Sequence, residues 1–136
     1  STEMVEHVRD WRAVFTNMMA LCRPGGLVLV TTRSPGYPYH AWPHDFWRYD
    51  EADMRAIFAG WDDVLVERDP SRPGVFVKAR KPPTRPVPDL AGLALTSVMT
   101  GMRQLDVAPA DFRHPRYAWG VARDRLKTWV ERVARG

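Results

Sequence analysis

Arg23-Pro24-Gly25-Gly26-Leu27-Val28-Leu29-Val30-Thr31-Thr32-Arg33 is the stretch whose reading decides the fold. Pro24 cannot continue a helix, and Gly25-Gly26 supplies whatever positive φ the turn needs. Leu27 to Val30 is a continuous apolar run, the pattern of a strand covered on both faces in a parallel sheet. Thr31 to Arg33 then stand at its carboxyl end, where open α/β sheets place their ligands. An α/β fold is expected, with a helix before the strand and a functional loop after it.

Upstream, Met4, Val8, Trp11, Val14, Phe15, Met18, Met19 and Cys22 recur at spacings of three and four, an amphipathic helical stripe. Thr2 could cap its first turn, with Glu3 and Glu6 near the positive end. A break near Arg9-Asp10-Trp11 would divide the segment into two short helices. Downstream, Ser34 to Tyr49 is broken by Pro35, Gly36, Pro38 and Pro43 but crowded with aromatic and ionisable groups. A loop of that length inside a compact domain suits a binding loop or lid. Asp50 then begins a short helix that ends at Gly60.

Trp61 to Arg68 and Val75 to Arg80 alternate and are rich in β-branched residues. Asp69-Pro70-Ser71-Arg72-Pro73-Gly74 joins them as a turn, so a β-hairpin is expected. Residues 82–89 read as a Pro-rich, semi-rigid linker. Asp89 to about Gln104 reads as a helix interrupted at Gly101, and Asp106 to Pro115 as loop. Tyr117 to Arg135 is the clearest helix, with Trp119, Ala122, Leu126, Trp129, Val130 and Val133 on one face expected to be core.

The 136 residues suit one core, and 45% hydrophobic with 26% charged content is ordinary for a globular protein. No apolar run approaches the ~20 residues that span a bilayer, so no membrane partner is expected. The lone Cys22 excludes an internal disulfide and fits a cytoplasmic location, with a packing role for its thiol. The net charge of +4 is spread along the chain, often next to Asp or Glu, rather than gathered on one face. A nucleic-acid partner is therefore not expected.

Two constellations could carry chemistry. In Glu3-x-x-Glu6-His7, helical spacing brings two carboxylates and an imidazole onto one face, a set that suits a divalent cation. The same residues also fit a solvated first turn favoured by the helix dipole. The second is His40-x-x-x-His44-Asp45, with the spacing of many two-histidine metal sites but no helix to align it. If Ser1-Thr2 closes a preceding parallel strand, both constellations lie over the same sheet edge, where a pocket is expected.

"STEMVEHVRDW", "LCRPGGLVLVTTRSPG" and "HDFWRYDEADMRAIFAGW" together resemble the second half of a Rossmann-like S-adenosylmethionine-dependent methyltransferase of type 11/type 12. In that family an E-x-x-E-H-like segment follows the fourth strand, a P-G-G turn leads into the fifth, and a hairpin with an antiparallel seventh strand closes the sheet. Residues 1–81 follow that order. The resemblance implies a C-terminal methyltransferase half over 1–81, a linker over 82–89 and a helical tail over 90–136. Two branches of that family match the chain more closely, the ubiquinone-biosynthesis O-methyltransferases and the small-RNA 3′-terminal 2′-O-methyltransferases. The resemblance selects Glu3, Glu6, His7 and His44 as ligands of Mg or a similar divalent metal, His44 through the His44-Asp45-Phe46 context.

On the same resemblance Thr2 and Glu3 border the S-adenosylmethionine cofactor, and His7 or His44 is the catalytic base if no metal is held. Trp42, Phe46 and Trp47 would shape the pocket of a small-molecule acceptor, although Phe46 and Trp47 equally suit packing beneath the next helix. The family's Gly-rich cofactor turn has no counterpart here, since no G-x-G occurs. The chain is thus expected to be the acceptor-side part of the enzyme, inactive alone, with the missing N-terminal half or a second copy as partner. A different class remains open: a non-catalytic interaction module or split-enzyme half docking to another chain.

Overall fold

The computed structural model describes residues 1–40, 43–84 and 88–134. It is a mixed α/β protein with two small antiparallel sheets and a C-terminal helix. The first sheet has the order β1-β4-β3, built from β1 (Leu27–Arg33), β3 (Asp62–Arg68) and β4 (Gly74–Arg80). The second, β2-β5-β6, joins β2 (Trp47–Arg48), β5 (Leu95–Ser97) and β6 (Arg103–Gln104).

The turn into β1 forms as its residues require. Gly25 adopts a φ of 74°, and a Cβ on Gly26 would lie 2.8 Å from the Arg23 carbonyl oxygen, so neither position accepts a larger residue without strain. The helix before it, α1 (Trp11–Leu21), starts where Asp10 accepts a hydrogen bond from the Ala13 amide at 3.1 Å. At its far end the Lys81 ammonium donates to the carbonyls of Met19 and Cys22, both at 2.7 Å, satisfying acceptors that the helix cannot. Trp11, Phe15 and Met19 form its buried face, and Cys22 packs against the core as expected.

The β3–β4 hairpin forms as read, and α2 (Glu51–Ile57) is closed by a reciprocal capping box. The Asp53 amide donates to Asp50 at 2.8 Å and the Asp50 amide to Asp53 at 2.9 Å. Phe15 meets Trp11, Tyr49 and Phe58 edge to face at centroid separations of 6.2, 6.0 and 5.9 Å, tying α1, β2 and α2 into one core.

Four expectations need correction. β1 pairs antiparallel with β4 rather than in a parallel sheet, and it is covered on one face only: Val28 and Val30 are buried while Leu27 and Leu29 are exposed. Among the described residues its sole parallel pairing is a bridge between Thr2 and Thr31. Thr2 is accordingly in extended pairing and caps no helix; the Val5–His7 turn is a single 3-10 turn without a side-chain cap. The segment 90–104 is not a helix but carries β5 and β6, because β2 offers a ladder that Thr96 and Ser97 complete. Finally α3 (Pro115–Val133) forms, but its apolar face is not core: Trp119 is 71% exposed and Leu126, Trp129, Val130 and Val133 are exposed with it.

Candidate functional site

The site lies over the carboxyl end of β1. Ser1 to Glu3 run along its edge, with the Thr31 amide donating to the Ser1 carbonyl at 3.0 Å and the Glu3 amide to the Thr31 carbonyl at 2.9 Å. The backbone then reverses at Glu3, whose φ is 50°, and the Val5–His7 turn delivers two side chains above the strand end. The returning loop is stitched to this turn from the other side. The Phe46 amide donates to the Glu6 carbonyl at 2.9 Å, the Tyr49 hydroxyl to the Val5 carbonyl at 3.1 Å, and the Trp47 indole to the Arg9 carbonyl at 3.0 Å.

Inside the loop, the buried Arg48 guanidinium organises the chain. It grips Asp45 at both oxygens, 2.6 Å each, and donates to the carbonyls of Trp47 at 2.8 Å, Pro38 at 2.9 Å and Tyr37 at 3.3 Å. Asp45 in turn accepts from the His40 amide at 2.9 Å, and its Oδ2 lies 3.0 Å from His40 Nδ1. Burial disfavours the Asp45 charge, but Arg48 and His40 outweigh it and hold its carboxyl below the ordinary value.

These contacts converge Glu6, His7 and His40, whose donor atoms all lie within 4.8 Å of one another. Glu6 is fully buried; its Oε2 accepts from the Thr32 hydroxyl at 2.7 Å. Among the described residues its Oε1 has no hydrogen-bond partner and faces His7 Nε2 at 3.9 Å and His40 Nε2 at 3.8 Å. Burial works against the Glu6 charge, yet His40 and Thr32 keep its carboxyl below the usual value. His7 Nδ1 lies 2.7 Å from the His44 carbonyl, which can only accept, so Nδ1 carries a proton and the neutral ring presents the Nε2 lone pair to the centre.

Around this centre the buried charges are Glu6 and Asp45 against Arg48, one positive charge short, while buried Asp53 lies apart and pairs with Arg103. A protonated His40 supplies it in the free protein: burial lowers its affinity for the proton, but Asp45 and Glu6 raise its pKa from 6.5 to about 9. A cation at the centre would supply the same charge. An orphaned carboxylate oxygen and two imidazoles held by a carbonyl and a carboxylate on their far sides form a donor set that fits a divalent metal.

The remaining candidates lie apart. The Glu3 carboxylate is paired with Arg33 and accepts from the Thr31 hydroxyl at 3.1 Å. The His44 ring packs against Phe46 and Phe112, and its Nδ1 lies 3.3 Å from the Tyr117 hydroxyl; only its backbone carbonyl serves the centre. His40 takes the place assigned to His44. The signal for it was Asp45, whose carboxylate could orient either histidine of the His40-x-x-x-His44-Asp45 set. Phe46 and Trp47 are buried in the core, and Trp42 lies outside the described residues. A groove of about 680 Å³ opens beside His40, bordered by Tyr37, Tyr39, Arg116 and Arg123.

In comparison with known proteins, no family model matches the chain, and neither a curated protein nor a solved structure matches it.

Proposed function

We propose that the chain is the acceptor-side part of a methyltransferase, acting on a hydroxyl or amine of a small molecule. The observation that carries this reading is the convergence of Glu6, His7 and His40 at the strand end, next to an open groove. The parallel Thr2–Thr31 bridge on one side of β1 and the hairpin on the other agree with the segment order of that family.

An acceptor lying in the groove would bring its nucleophile to the two imidazoles. In the neutral His7 ring the Nδ1 proton serves the His44 carbonyl, which leaves Nε2 to take the acceptor proton. Glu6, 3.9 Å away and fully buried, stabilises the imidazolium that results. Protonated His40, fixed by Asp45, can donate to an acceptor oxygen and orient it. A divalent cation on Glu6, His7 and His40 would add a lowered pKa for an acceptor hydroxyl. With two nitrogen donors and one oxygen, the set suits a borderline metal such as Zn better than Mg or Mn.

The residues present do not fit S-adenosylmethionine itself. No G-x-G turn occurs, Thr2 is engaged in strand pairing, and the Glu3 carboxylate is taken by Arg33. The cofactor therefore belongs to a partner segment in this proposal. Calorimetric titration of S-adenosylmethionine into this chain, and into the protein carrying its gene's upstream coding sequence, tests it. Binding only in the longer protein, with His7→Ala abolishing turnover there, is expected; no binding to either contradicts the reading. Exposed Leu27, Leu29 and Leu65 on the sheet favour a second reading, in which this is a docking module without chemistry of its own.

A further inference from the structure

We infer that α3 is a docking element for an anionic membrane surface. From Arg125 onward every described residue of the helix is exposed, so it projects beyond the body of the protein. Yet it is far from uniformly polar: Trp119, Leu126, Trp129, Val130 and Val133 are all more than half exposed, from 51% to 71%. At about 100° per residue they occupy one sector about 100° wide, broader than a two-position coiled-coil seam.

The charges around this sector are sorted by sign. On the same helical geometry Arg123 and Lys127 flank it on one side and Arg125 and Arg132 on the other, each about 70–110° from its centre. Both acids of the helix, Asp124 and Glu131, fall about 150–170° away, on the far side. The one ion pair involving these residues among those described, Lys127–Glu131 at 3.8 Å, draws on an acid from that far side.

A large apolar surface rimmed only by cations selects its occupant. A second copy would bring arginine flanks against arginine flanks with no acid in reach, a pattern that coiled coils use to exclude a partner. An anionic bilayer meets all three features at once: an apolar layer for Leu126, Val130 and Val133, an interfacial zone for the two tryptophans, and headgroup charge for the arginines. No helix among the described residues is long and apolar enough to cross a membrane, so α3 lies on the surface and does not span it.

Vesicles of phosphatidylcholine alone and of phosphatidylcholine mixed with phosphatidylglycerol test the inference by co-sedimentation and tryptophan emission. At least about tenfold tighter binding to the anionic vesicles is expected, weakening as salt is raised. Trp11, Trp47 and Trp61 are buried and Trp42 lies outside the described residues, so in a Trp42→Phe background a blue shift on binding should vanish when Trp119→Phe and Trp129→Phe are added. Leu126→Glu with Trp129→Glu should abolish binding while leaving the melting curve of the body in place, since both sites are exposed. Arg125→Glu with Arg132→Glu should remove the anionic preference without changing that curve. Equal partition on neutral and anionic vesicles overturns the inference, as does no binding to either. A lipid-free dimer dissolved by the Leu126 and Trp129 changes, or capture by polyglutamate in preference to vesicles, overturns it in favour of a protein partner.

Discussion

Asp45→Asn preserves the shape of the loop and removes one charge. Arg48 would remain fully inside the protein, still bonded to the carbonyls of Tyr37, Pro38 and Trp47 but facing a neutral amide. Breaking one side of a buried ion pair costs about 3–5 kcal/mol, mostly because the other charge is left uncompensated. At about 2.1 cal/mol/K of unfolding entropy per residue, 136 residues give about 0.29 kcal/mol/K, so Tm should fall by roughly 10–17 °C. Urea titration and thermal melting followed by circular dichroism measure this. The Asp45→Asn, Arg48→Met cycle should show an interaction energy of about 2–3 kcal/mol. Because Asp45 is held below its ordinary carboxyl value, its contribution is present above about pH 4 and fades as pH falls through its lower folded value. A Tm change of a degree or two, with additive single variants, would refute the idea that this pair holds the loop.

Other outcomes follow from the same contacts. Arg12 donates to the carbonyls of Leu90 and Leu93 at 2.8 Å and Leu105 at 2.9 Å, so Arg12→Ala should cost about 2–3 kcal/mol and expose residues 90–106 to proteolysis before the hairpin. An unchanged cleavage pattern would mean that β5 and β6 are held by β2 alone. For metal-free protein, the His40 ring should titrate near 9 by NMR; since this folded value lies above 6.5, its stabilisation is full below pH 6.5 and lost as pH rises through about 9. A midpoint near 6.5 would remove the argument that Asp45 and Glu6 together hold a positive charge there.

What was legible in the sequence is what local chemistry decides. Pro24-Gly25-Gly26 marks a turn in any context, Asp50 marks the start of α2, and the β3–β4 hairpin announces itself by alternation. What was not legible depends on distant partners. β5 and β6 have three and two residues, too short for a pattern, and exist because β2 presents unpaired backbone groups. The apolar run of β1 looks the same whether one face or two are covered. The stripe of α3 has the period of a buried helix, and only its placement shows that nothing within the described chain covers it. At the site, helical spacing grouped Glu3 with Glu6 and His7, whereas the structure brings only Glu6 and His7 together and holds Glu3 to Arg33. The choice of His40 over His44 is made by Arg48 gripping Asp45, a contact set by loop geometry rather than by any motif.

Titration of Zn into the metal-free chain, by calorimetry with parallel measurement of proton release, tests the central claim most directly. The account predicts one site, with proton release near neutral pH because His40 must give up its proton to become a ligand. Binding should be lost in Glu6→Gln and in His40→Ala, and retained in Glu3→Gln and in His44→Ala, whose backbone carbonyl still orients His7. Metal binding that survives both Glu6→Gln and His40→Ala, or no binding by the unaltered chain, would contradict it.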